Sequence, residues 1–394
     1  MKKYLVTFLL VSTVLGISSF MSCGKINTPP NPNASAPKLP ASVYDYLHVH
    51  VSGNFFANFM GSGTKDLELS EVLQFSPNQN MKVTNEGATL GRVLFYDKIM
   101  SLNNSIACAS CHKQSSAFSD GMASSEGFGG KFTPRNSMSI VNPFFNNNMF
   151  WDSRTPTVKQ LTLQPVFNHL EMGMESMDKL IAKIAKTSYY PALFKGAYGT
   201  EEVNAERISD AMTQFLCSMI SANSKFDKGE EDNFASFTSI EKHGKDLFFG
   251  TTAKCSQCHA GGNFSAPDFP GGDYGTPPNG GADRKGTANI GLDKVYRDNG
   301  KADGQFRIPS LRNIALTAPY MHDGRFTSLD QVIEHYNSGI QNHPSLDPKL
   351  KGSNGMPQRL NLSDYDKIAL VAFLKTLTDQ QLLTDQKFSD PFAN

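Results

Sequence analysis

The chain has 394 residues, with 37 basic and 37 acidic side chains that balance to no formal net charge at pH 7. That balance excludes the strongly basic surface of a nucleic-acid binder and any whole-protein field that could steer a charged redox partner, leaving only local patches. Once a leader is removed, the length leaves room for two domains.

Met1-Lys2-Lys3 and the apolar run from Tyr4 to Gly16 read as the n-region and h-region of an export signal, too short to span a bilayer. Ser22-Cys23 resembles a loose lipoprotein cleavage box, in which Cys23 becomes the lipidated mature N-terminus; under ordinary signal cleavage it would be discarded or left free. Residues 24–40, rich in Pro, Asn and Ala, are expected to form a flexible tether that lets an anchored domain stand off a membrane. The expected location is therefore exported and periplasmic, touching a membrane only through the lipid.

Further on, Gly91-Arg92-Val93-Leu94-Phe95-Tyr96 precedes Cys-Ala-Ser-Cys-His at Cys108 to His112, and Phe118-Ser119 follows. The same order returns as Gly244-Lys245-Asp246-Leu247-Phe248-Phe249, Cys-Ser-Gln-Cys-His at Cys255 to His259, and Phe264-Ser265. Cys-x-x-Cys-His is the attachment signature of c-type haem. Two thiols one turn apart each add to a haem vinyl group, and the next residue supplies an imidazole that reaches the iron from the same side. A redox dithiol or a four-cysteine zinc site would leave both histidines unexplained. Two covalent haems c are expected, one on Cys108 and Cys111 with His112 as proximal ligand, the other on Cys255 and Cys258 with His259. Haem of this type is attached outside the cytoplasmic membrane, which agrees with the leader.

The repeat implies an organisation of signal peptide 1–23, tether 24–40, an N-terminal haem domain 41–235 and a C-terminal haem domain 236–394. Helical periodicity is clear in Met177 to Ile184, Ala205 to Ile220, Leu329 to Tyr336 and Asp364 to Leu377, while strand signals are sparse. Cys217 reads as a small buried hydrophobe on the second of these helices. Gly/Pro/Asn-rich stretches such as Ala260 to Gln305 are longer than ordinary domains contain, and a haem that supplies much of the apolar core accounts for them. The expected fold class is mostly α, two cytochrome c-like haem domains with long irregular loops.

Between and beyond the haem motifs lie Phe150-Trp151-Asp152-Ser153-Arg154, Pro165-Val166-Phe167-Asn168-His169-Leu170-Glu171-Met172-Gly173, Arg307-Ile308-Pro309-Ser310-Leu311-Arg312-Asn313 and Ala318-Pro319-Tyr320-Met321-His322-Asp323-Gly324. Together with the haem motifs these resemble the bacterial di-haem cytochrome c peroxidase and MauG family, from about Gly87 to the C-terminus. The resemblance implies that peroxide reacts at the His112 haem and that Glu171 is the distal acid. Chemistry asks for such a group, because splitting an O–O bond requires a proton moved from the near oxygen to the leaving one. It also implies that Trp151 bridges the two haems with Arg307 beside it, and that Asn136, Thr317 and Pro319 bind calcium between the domains through amide and carbonyl oxygens.

Two positions depart from the family pattern. Many members hold a distal His on the N-terminal haem, and the matching position is Phe128, which cannot ligate iron; unless a remote group such as His48 or His50 substitutes, the sixth site is open. At the C-terminal haem the matching axial Met is Tyr336. Ser328 with Gln331 forms a capping box, after which Leu329, Val332, Ile333 and Tyr336 share an apolar helical face. Tyr336 is thus an expected phenolate ligand, as in MauG, with Met321 as rival; a phenolate favours ferric iron. The distal Gln of many members corresponds to Leu161, flanked by Gln160 and Gln164.

The expected activity is reduction of hydrogen peroxide to water with electrons from a small exported donor, such as cytochrome c or a cupredoxin-like protein. Two alternatives stand beside it: a MauG-like oxidase that modifies a partner protein through high-valent haem, and a non-catalytic di-haem electron carrier. Members of the family often pair, so a homodimer belongs among the expected assemblies.

Overall fold

The structure, a computed structural model, describes residues 36–52, 63–73, 81–146, 148–265, 287–292 and 304–393. Cys23, the expected signal peptide and most of the tether lie outside the described residues. Those described are mostly helical. No helix among them is long and apolar enough to cross a membrane.

Helix α1 (Asn85–Tyr96) is capped by Thr84, which accepts from the Gly87 N–H. Helices α2 (Met177–Ala185) and α4 (Ala205–Cys217) start at Ser176 and Asn204, with α3 (Tyr190–Tyr198) between them. Helix α5 (Ser239–Phe249) opens with a Thr238/Glu241 capping box, α6 (Leu329–Glu334) with Ser328/Gln331 and α7 (Asp364–Lys375) with Ser363/Asp366. Six of these seven helices, all but α3, thus begin where a side chain can satisfy a free N–H group. Strands are few: β1 (His48–Val51) pairs antiparallel with β2 (Lys65–Glu68), and β3 (Thr287–Asn289) with β4 (Gln305–Arg307).

Two helix crossings organise the core, and each depends on a glycine. A Cβ on Gly91 in α1 would lie 2.0 Å from the Ala211 carbonyl oxygen of α4, and one on Gly244 in α5 would lie 1.9 Å from the Ala369 carbonyl of α7. Only glycine permits so close an approach. Around each crossing sits the same aromatic trio: Phe95, Phe118 and Phe215 at the first, Phe248, Phe264 and Phe373 at the second. The repeat seen in the sequence is therefore also a repeat of packing.

One apolar cluster joins β1, β2, α1 and α4 with Leu382 and Phe388 from the chain's end, a second joins α5, α6 and α7, and a third packs α1, α2, α3 and α4. Cys217 is fully buried, as expected. The α-helix beginning at Leu329 stops at Glu334, short of the expected Tyr336. The chain widens into a π-helical turn over His335–Gly339, a geometry that side-chain periodicity does not encode. Within the stretch 260–305, β3 supplies a short ladder that its Gly/Pro/Asn-rich composition did not signal.

Candidate haem sites

Cys108–Cys111 form a single helical turn that ends at His112. His112 Nδ1 lies 2.9 Å from the Phe118 carbonyl oxygen, and His259 Nδ1 lies 3.1 Å from that of Phe264. A carbonyl can only accept, so each Nδ1 carries the proton and each Nε2 presents its lone pair, which is the tautomer a metal needs. Burial favours the neutral imidazole at both positions, lowering His112 and taking His259 down to about 4. The accepting residues, Phe118 and Phe264, both adopt left-handed backbone conformations, with φ of 59° and 49°. None of the four motif cysteines is in a disulfide.

A deep cavity, walled largely by apolar side chains, opens beside His259 and takes in Cys255, Cys258, Tyr336, Met321 and Leu374. The π-turn carries Tyr336 into this wall, while the neighbouring His335 turns away and bonds through Nε2 to the Ile290 carbonyl at 2.8 Å. Burial, and after it the nearby Cys258 and Cys255, raise the Tyr336 phenol well above its ordinary value. The pocket alone therefore keeps Tyr336 neutral, and a phenolate needs a cation in the cavity to offset its charge. Both expected ligand candidates, Tyr336 and Met321, border the same space.

Glu171 sits on a turn built by Asn168. The Asn168 carbonyl accepts from the N–H groups of Glu171, Met172 and Gly173, its Oδ1 from that of Leu170, and its Nδ2 donates to Glu171 Oε1 at 2.7 Å. The carboxyl borders an open pocket shared with Phe150, Arg154, Gln160, Gln164 and His169. Burial raises its pKa, outweighing the opposing pull of the Arg154 charge and of the Asn168 hydrogen bond. Glu171 is also near enough to Cys108 and Cys111 to act on both electrostatically. Gln160 and Gln164 reach this pocket while Leu161 packs into the apolar core. Phe128 lies against the same turn. His48 and His50 are occupied elsewhere, pairing with Asp45 and Asp66 on the exposed face of β1.

Between the two motifs, Trp151 donates from Nε1 to the Asn136 carbonyl at 2.9 Å, and its own carbonyl accepts from the Arg307 N–H at 2.7 Å. Arg307 is buried and also reaches the Phe150 carbonyl. Asn136, Thr317 and Pro319 border the cavity that Trp151 and Arg307 line. Asn136 donates through Nδ2 to the Met122 carbonyl at 2.7 Å. No cluster of three His, Cys, Asp or Glu suited to a metal occurs among the described residues, so a cation here would rest on amide and carbonyl oxygens and water.

The sequence did not single out Asn168, which holds the Glu171 turn, or Phe306, whose ring stacks on His322 at 3.8 Å and meets Trp151 edge-on at 6.5 Å. An Asn three residues before the candidate acid was the available sign of the first, since Asn side chains organise such turns. The second had none, because the contact joins β4 to a distant loop. Both motifs offer what haem c needs, paired thiols and an imidazole held in the ligating tautomer, and an apolar cavity lies beside His259.

Residues 85–233 match the family model described as di-haem cytochrome c peroxidase. Methylamine utilization protein MauG of Methylorubrum extorquens is 31% identical over 297 residues, covering 75% of this chain and 79% of that protein. Cytochrome c551 peroxidase of Nitrosomonas europaea is 32% identical, over 75% of this chain and 80% of its own. Among solved structures, a MauG-like protein associated with microbial copper homeostasis superposes with a TM-score of 0.68 at 32% identity, covering 79% of this chain and 95% of that one. The diheme peroxidase BthA of Burkholderia thailandensis shares the fold at a TM-score of 0.62 and 20% identity, over 90% and 98% of the two chains. With its two haem-attachment motifs and these relatives, the chain belongs to the di-haem cytochrome c peroxidase and MauG family of oxidoreductases.

Proposed function

We propose that this protein is an exported peroxidase that reduces hydrogen peroxide to two waters, taking two electrons from a small donor protein and two protons from solvent. The observation that carries the reading is Glu171, a carboxyl fixed by Asn168 at the wall of a solvent-open pocket and shielded enough to hold a proton more tightly than a surface acid. Bound haem would supply the redox-active iron, held by His112 at the peroxide site and by His259 at the electron-entry site. Asn168 holds Glu171 Oε1, which leaves Oε2 to take a proton from one peroxide oxygen and return it to the other. Trp151, with Arg307 against its backbone, connects the two sites. Asn136, Thr317 and Pro319 would hold calcium next to them.

Peroxide-dependent oxidation of reduced cytochrome c tests this reading; absence of turnover with cytochrome c and with a cupredoxin donor overturns it. Tyr336 favours a second reading, a MauG-like oxidase acting on a partner protein, because a buried phenolate would stabilise ferric iron at the His259 site. Under that reading Tyr336→Met changes the resting spectrum and raises the potential of the His259 haem. An unchanged spectrum removes its support.

A further inference from the structure

Residues 125–133 form a closed hairpin. Glu126 bridges to Phe132, the Gly127 N–H donates to the Lys131 carbonyl at 2.7 Å, and the Thr133 N–H donates to that of Ser125 at 2.9 Å. One side of this hairpin is docked on the Glu171 turn by three separate contacts. The Phe128 N–H donates to the Glu171 carbonyl at 2.8 Å. Gly127 lies so close that a Cβ there would be 2.0 Å from the Leu170 carbonyl oxygen and 2.9 Å from that of Glu171. The Phe128 ring covers Gly173, whose absent Cβ would fall 2.6 Å from two ring carbons, and Gly173 has a left-handed φ of 69°. Each side of the contact therefore uses a glycine so that the hairpin can approach.

These contacts bracket the acid. Asn168 fixes the Glu171 carboxylate from within the turn, while the hairpin fixes its carbonyl and the following glycine from outside. We propose that Phe128 is a positioning residue, whose backbone N–H and ring latch the 125–133 hairpin onto the 168–173 turn and thereby hold the Glu171 carboxyl at the peroxide pocket. The proposal rests on the peroxidase reading of Glu171. Phe128 contacts the backbone of the turn, at the Glu171 carbonyl and at Gly173. Its contribution is to remove freedom from the acid, and displacement of a catalytic group by about 1 Å can cost on the order of a hundredfold in rate.

The test compares haem-loaded wild type with Phe128→Ala, Phe128→Tyr and Gly173→Ala, measuring peroxide turnover, melting temperature and the rate of tryptic cleavage after the exposed Lys131. Phe128→Ala is expected to lower kcat by about tenfold or more with KM for peroxide changed less than about twofold, since positioning rather than binding is lost. Cleavage at Lys131 is expected to accelerate in the same variant. Phe128→Tyr, which keeps both ring and N–H, is expected to restore both readouts. Gly173→Ala, which displaces the ring from the other side, is expected to reproduce the loss. Wild-type rates in Phe128→Ala, a loss that Phe128→Tyr does not restore, or unchanged cleavage at Lys131 each overturns the latch. An inactive wild type with Lys131 cleavage still dependent on Phe128 instead overturns the peroxidase reading and leaves the latch as a structural contact.

Discussion

At Glu171, burial raises the proton affinity of the carboxyl while the Arg154 charge and the Asn168 amide lower it, and burial prevails. Under the peroxidase reading the carboxyl must be ionised to accept a proton from peroxide, so turnover is expected to fall as pH drops through this raised pKa. Arg154→Ala removes an opposing influence and is expected to move that acid limb further up in a pH–rate profile. Glu171→Gln is expected to lower kcat by about 10²–10⁴-fold. Its effect on stability runs the other way. A carboxyl whose folded pKa is raised above its unfolded value opposes folding once pH exceeds the unfolded pKa, and the penalty is complete above the folded one. Glu171→Gln therefore melts slightly higher than wild type at neutral pH, with the difference vanishing in acid.

Much at this scale was legible because the chemistry is written in contiguous residues: the haem cysteines and their histidines follow from one pentapeptide each. Glu171 and Trp151 stood out as candidates only through longer motifs. Asn168 and Phe306 were not singled out, since their importance lies in whom they touch rather than in their residue type.

Among the elements, the glycines at the helix crossings and the glycine inside α3 make opposite predictions. Gly244→Ala drives a methyl into the Ala369 backbone carbonyl, which cannot rotate away, so the α5–α7 crossing must open. A loss of about 1–3 kcal/mol in urea denaturation is expected. Gly196, in α3, has nothing within 4 Å of its would-be Cβ, so Gly196→Ala is expected to stabilise by about 0.5–1 kcal/mol. If both variants moved in the same direction, the close-approach account of Gly244 would be wrong. Caps and apolar periodicity put the long helices where they were expected, because both are local signals. The π-turn at His335–Gly339 and the β3–β4 ladder were missed because each is set by distant partners: Ile290 for His335, and residues 305–307 for β3.

Across the whole molecule, the chain's end ties the His112 side together. The Tyr46 hydroxyl donates to the Lys387 carbonyl, Arg92 Nε to that of Ser389 and the Tyr96 hydroxyl to that of Phe388, while the Phe388 ring packs near Phe118 and Phe215. Phe118 is also the residue whose carbonyl orients His112. Truncation after Asp379 is therefore expected to alter the absorption and spin state of the His112 haem while leaving the His259 haem unchanged; equal perturbation of both would contradict this. No local pattern in the last residues announces this return, since it depends on hydrogen bonds between residues 292 to 341 positions apart.

Under the proposed function the two haem sites would be unequal, with an open position beside Glu171 at His112 and a side-chain ligand, Tyr336 or its rival Met321, at His259. A resting-state electron paramagnetic resonance spectrum of the ferric holoprotein tests that inequality most directly. One high-spin and one low-spin haem signal in equal amounts is the predicted result. Two low-spin signals would mean that both irons are six-coordinate with strong ligands, and would contradict it.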